Sequence, residues 1–190
     1  LERFSAFSME GGVTFPKMRP FGDKEFYTLG SVSSSMFGFH QADTTAPQHY
    51  AWHTPDDANL QVYAVKNDTE GSNVKFVIKN YSESIYFETD FYEDVYNDQR
   101  WNYQLTIKPE GYPFDGSYSI TQQPNYTIRF YAVNHDFGNI RHEVEKTHSV
   151  SYTVGSKILS NSKRVYLGAH ALGHTGSILT ETDLVFDSFR

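Results

Sequence analysis

The sequence predicts an all-β chain folded as a two-sheet antiparallel jelly-roll sandwich with little helix. Short segments of alternating apolar and polar residues recur along most of the chain, separated by clusters of Gly, Pro, Asn, Asp and Ser, which is the pattern of strands and turns. Apolar residues nowhere recur at helical spacing for three turns, so one short helical turn is expected, over residues 156–160. Aromatic residues make up 16% of the chain, about twice an average share, and such side chains suit a pleated, half-buried surface. At 190 residues the length is ordinary for one sandwich domain, and no fixed-period repeat suggests a propeller or solenoid.

Taken in order, residues 1–25 carry Gly11-Gly12, Pro16, Pro20 and Gly22 between short aromatic runs and read as an irregular arm or a first short strand. Residues 26–190 then form the sandwich. A Ser/Gly-rich, partly alternating segment at 27–39 is expected as strand, and 41–59 as a long loop punctuated by Pro47, Pro55 and Asp56-Asp57. Residues 60–65 and 74–78 alternate around a turn cluster at 66–73, a hairpin. Further strands are expected at 85–92, 101–107, 126–133, 142–154, 164–169 and 184–189, with Lys108-Pro109-Glu110-Gly111 as a turn. In the segment RWNYQLTI the alternation puts Trp101, Tyr103, Leu105 and Ile107 on one face, the core side.

Composition narrows the partners. A net charge of −7 lacks the basic stripe that phosphate backbones require, so nucleic acid and anionic membrane surfaces are poor partners. No apolar run is long enough to cross a membrane as a helix. There is no cysteine, hence no disulfide and no thiolate metal site, and stability must come from packing. A chain opening at Leu1 and closing at Arg190 directly after a strand is expected to be a piece of something longer.

The sharpest candidate for chemistry is Glu88-Thr89-Asp90-Phe91-Tyr92-Glu93. ExDxxE on a strand is the catalytic pattern of retaining β-glucanases, with the first Glu as nucleophile, the last as acid/base and the Asp assisting; the outer carboxyls of such a pair stand about 5 Å apart. A regular strand would turn Glu93 away from Glu88 and Asp90, so this reading requires a β-bulge. The plainer reading makes Ile85, Phe87, Thr89 and Phe91 a core face and Tyr86, Glu88, Asp90 and Tyr92 the opposite one. It is favoured, because three acids within six residues arise readily in an acidic chain, and no catalytic residue is assigned.

For glycan binding the candidates are Trp52, Tyr50 and His53 in the long loop, where aromatic faces could stack on sugar rings; a loop tryptophan is more often a lid on the core than a sugar platform. His49/His53 and His170/His174 are spaced by four but lie in loop or strand-end context, and Asp43, Asp56 and Asp57 lack ordered ligand spacing, so no metal and no cofactor are expected. Asn67, Asn80 and Asn125 open glycosylation patterns, about as many as chance gives in a chain this rich in Asn, Ser and Thr. There is no GxSxG, P-loop or dinucleotide glycine pattern.

The segments NVKFVIK, QRWNYQLTIKPEGYPF, NYTIRFYAVNHDFGNI and SKRVYLGAHALGHTGSILTETDLVFDSFR, over residues 73–190, resemble concanavalin A-like, laminin-G-type domains in large structural proteins of marine tailed phages. In that group a W-N-x-x-x-x-I/L-K-P strand precedes K-R-x-Y-x-G-A-H and T-G-x-x-L; His174 departs from the Asn or Phe usual before Thr-Gly. The resemblance implies a non-catalytic module at the virion surface, in a tail, fibre or capsid-surface component. Its partners would be other virion subunits, as a homo-oligomer, and host-surface polysaccharide. The alternatives are a retaining β-glucanase using Glu88, Asp90 and Glu93, and a secreted carbohydrate-binding lectin domain.

Overall fold

The computed structural model describes residues 6–17, 33–41, 60–67, 71–80, 84–110, 124–160, 163–167 and 184–190. In chain order these form β1 (Phe7–Thr14), β2 (Ser33–Gln41), β3 (Leu60–Lys66), β4 (Val74–Lys79), β5 (Tyr86–Glu88), β6 (Arg100–Pro109), β7 (Tyr126–Asp136), β8 (Asn139–Val150), α1 (Tyr152–Ser160), β9 (Lys163–Leu167) and β10 (Val185–Asp187). Two five-stranded sheets result, ordered β10-β1-β6-β7-β8 and β5-β4-β3-β2-β9. Every paired strand is antiparallel. The chain is therefore an all-β sandwich, as its alternation predicts.

One core lies between the sheets. Trp101, Tyr103, Leu105 and Ile107 of β6 and Ile128, Phe130 and Ala132 of β7 are buried from one side, Val62, Ala64, Phe76 and Ile78 from the other. Edge-on and tilted aromatic contacts join them: Phe76 lies 5.3 Å from Phe130 and 5.5 Å from Trp101 between ring centroids. Offset and edge geometries of this kind add roughly 0.5–1.5 kcal/mol per pair beyond simple burial.

Several boundaries refine the sequence expectation. Of the two readings of the N-terminal segment, arm or first short strand, the strand is the one found: β1 lies inside its sheet, paired with β6 from Phe7↔Ile107 to Thr14↔Arg100. Lys108 and Pro109 continue β6, opposite Thr127 and Tyr126, and the turn begins only at Glu110. The expected strand at 142–154 stops at Val150, where Ser151 caps a helix; its hydroxyl accepts the Val154 N–H at 3.4 Å. Gly155 then lets α1 lie on the Tyr126 ring, where a Cβ would collide with ring carbons.

Candidate functional site

The acidic segment follows β5, an edge strand only three residues long. Regular pairing with β4 ends at Val77↔Glu88. Thr89 next donates its N–H to the Phe76 carbonyl at 3.0 Å, and its Oγ1 accepts the Phe76 N–H at 2.9 Å. Backbone pairing resumes at Tyr92, which exchanges bonds of 2.8 and 3.0 Å with Val74. Asp90 and Phe91 therefore stand opposite Lys75 alone. That two-against-one count is a β-bulge.

The bulge changes which side chains face out. Ile85 and Thr89 are buried and Phe87 packs on the core, as the plain alternation requires, but Phe91 is exposed and Tyr92 packs inward. The expected core face thus fails at its last position, because the extra residue shifts the phase by one. Glu93 becomes exposed, as are Asp90 and, in part, Glu88.

Glu88 is engaged. Its Oε2 accepts Lys75 Nζ at 2.8 Å and the Tyr86 hydroxyl at 2.7 Å. The Lys75 hydrogen bond, followed by that from Tyr86, holds the Glu88 carboxyl below its ordinary range. Lys75 also sits 5.5 Å over the Phe91 ring. Glu93 contributes its carbonyl, which lies 3.0 Å from His142 Nε2, and neighbouring Asp94 is held by Arg141 at 2.8 Å.

A second polar array covers the outer face of the β1-containing sheet. Register places Glu10, Gln104, Tyr131 and Glu145 in one row and Ser8, Thr106, Arg129 and Thr147 in the next. Bonds tie the rows together: Arg129 Nε donates to Glu145 at 2.7 Å and Nη1 to Gln104 at 3.1 Å, while the Tyr131 hydroxyl donates to Glu143 at 2.8 Å. The Arg129 guanidinium lies 4.8 Å over the Tyr131 ring. Arg100 grips Asp187 with Nε and Nη2, drawing that carboxyl down. The result is a flat, cross-linked polar surface of arginines, carboxylates, amides and one aromatic.

Trp52, Tyr50 and His53, with the other long-loop candidates Asp43, His49, Asp56 and Asp57, lie outside the described residues, as do His170 and His174. Among the described residues no three His, Asp or Glu side chains converge as metal ligands do. Asn80 is fully buried, its amide donating to Ser84 and accepting the Ile85 N–H, so its glycosylation pattern is inaccessible in the folded chain. Sequence reasoning passed over Lys75 and the polar array. The array was present as the polar half of the same alternation that marked the core.

Comparison with protein-family models, curated proteins and solved structures finds no match for this chain.

Proposed function

We propose that this chain is a non-catalytic interaction module of a virus particle. It would sit at the virion surface in a tail, fibre or capsid-surface component, holding neighbouring subunits in a homo-oligomer and touching host-surface glycans. The observation that carries the interaction role is the cross-linked polar face of β1, β6, β7 and β8. Its side chains are fixed by mutual hydrogen bonds before any partner arrives, which lowers the ordering cost of association. The nested pairing of β1 with β10 and β2 with β9 supports a jelly-roll wrap of the concanavalin A-like kind. The viral setting rests on the sequence resemblance alone, and fold does not choose among functions.

A retaining glycoside hydrolase is the second reading, favoured by the bulge at Asp90-Phe91, which the ExDxxE pattern requires. Against it stands the Lys75–Glu88 ion pair, which occupies the carboxylate that would have to attack the sugar. A reducing-sugar assay on laminarin and agar separates the two. The module reading expects no release above background; turnover that disappears in Glu88→Gln would overturn it. Antibodies against the chain should decorate intact particles in electron micrographs, and a free lectin would leave them bare.

A further inference from the structure

The sheet that carries the polar array ends in β8, which is twelve residues long and pairs with β7 along one side. Among the described residues no backbone group bonds to its other edge. Such an edge is a row of unpaired N–H and C=O groups, which folded proteins commonly blunt by shortness, proline or a bulge. β5, the neighbouring edge in the other sheet, is only three residues long. β8 has no proline, and its irregularity lies at the hairpin end. There Asn134 faces His142 while His135 faces Ile140, so Arg141 is the extra residue of a second bulge. From His142 to Val150 the pairing is regular. The following helix leaves this edge clear, because α1 turns onto the Tyr126 ring of β7 and on toward β6.

The side chains of this stretch restrict what can pair with it. Glu143, Glu145, Thr147 and Ser149 are exposed on the outer face, while Val144 and Val150 are buried toward the core with Lys146 and His148 half-buried between them. A second copy of β8, laid antiparallel along the edge, keeps both cores on one side when a twofold axis stands normal to the sheet and passes through one residue position. Charge decides which position. Centring on Glu143, Glu145 or Lys146 sets that residue against itself, and centring on Val144 sets Glu143 against Glu145; like charges directly opposite are destabilising. A centre at His142 runs the new ladder through the Arg141 bulge, and one at His148 leaves Lys146 against the buried Val150. Centring on Thr147 avoids all of these. Thr147 then meets its own copy, Glu145 meets Ser149, Lys146 meets His148, and Val144 meets Val150 on the core side.

Resting on the homo-oligomer reading above, we propose that two copies of this chain join edge to edge through β8, about a twofold axis at Thr147. Main-chain bonds between the strands supply the attraction, and the side-chain register supplies the specificity. The β10-β1-β6-β7-β8 sheets of the two copies become one continuous sheet. Their polar arrays, which share its outer face, become a single surface twice as broad.

The chain contains no cysteine, so a single introduced thiol reports the register. Residues directly opposite in an antiparallel pair stand about 4.5–5.5 Å apart at Cα, within disulfide reach. Thr147→Cys should therefore give a disulfide-linked dimer on mild oxidation, whereas Ser149→Cys, whose own copy lies further along the ladder, should not. Sedimentation equilibrium of the whole chain should show monomer and dimer in exchange. Ser149→Glu, set against Glu145, should raise the dissociation constant about fivefold, and Ser149→Lys should lower it about fivefold. Both positions are exposed, so these changes leave the core intact. Dimers that respond to neither charge and give no link through Thr147→Cys would overturn this inference and leave the homo-oligomer reading standing on another surface. A chain that stays monomeric at the highest soluble concentration would overturn the interface and the homo-oligomer together.

Discussion

The His142 imidazole lies parallel to the Trp101 indole, 5.7 Å apart and inclined by 12°. Tyr92 meets the same imidazole edge-on at 5.7 Å, and its Nε2 lies 3.0 Å from the Glu93 carbonyl. One histidine thus fastens the segment after the first bulge to the long β7–β8 pair.

This fastening gives a pH dependence of known sign. Burial first, then the neighbouring Arg141, lowers the His142 pKa below 6.5, only partly opposed by the Glu93 carbonyl and by Asp94 and Glu93 charge. Above 6.5 neither folded nor unfolded chain carries the proton, so the group has no effect there. As pH falls below 6.5 the unfolded chain protonates first and stability declines, until the folded pKa is passed. Urea denaturation between pH 7 and about pH 5 should show this decline. His142→Phe, which keeps the ring stacking, should flatten it; an identical slope in the variant would remove His142 as the cause.

Thr89 substitutes for backbone in the sheet. Its buried hydroxyl accepts the Phe76 N–H at 2.9 Å and donates to the Asp90 carbonyl at 2.7 Å. Thr89→Val preserves shape and leaves both groups facing a methyl, so equilibrium unfolding should show a loss of about 1–3 kcal/mol. Thr89→Ser should retain most of the stability.

At the tip of the β7–β8 hairpin Phe137 has φ +47° and Gly138 φ +84°. Positive φ at both central positions is the type I′ arrangement, which favours Asn and Gly and strains a bulky residue. The Phe137 side chain is 101% exposed and recovers nothing by burial. Phe137→Asn should therefore raise stability by about 1 kcal/mol, read as a higher urea midpoint with an unchanged slope.

The Glu88 carboxyl should titrate below its ordinary range in the wild type and return toward that range in Lys75→Met, as followed by side-chain carboxyl NMR. The sign follows from the Lys75 hydrogen bond, the largest influence on that group. An unshifted titration in the variant would mean that the ion pair does not form in solution.

Much of the fold was legible because alternation records burial directly. The strands at 60–65, 74–78 and 101–107 lie within β3, β4 and β6, and Trp101, Tyr103, Leu105 and Ile107 are buried as their spacing requires. The candidate site was less legible. The acids were visible, but whether Glu93 faced out depended on a single extra residue opposite Lys75, and propensity alone does not locate such a residue. Likewise Val150 to Val154 looked like continuing strand, although Ser151 was available as a cap.

By itself, then, the sequence determined the period of the side chains, and with it the sandwich, its core and the polar outer face of the β1-containing sheet. Only the tertiary structure decided where that period slips, at Asp90-Phe91. A bulge depends on which residue of a distant strand stands opposite. That pairing between strands far apart in the chain settles whether Glu88 meets Lys75.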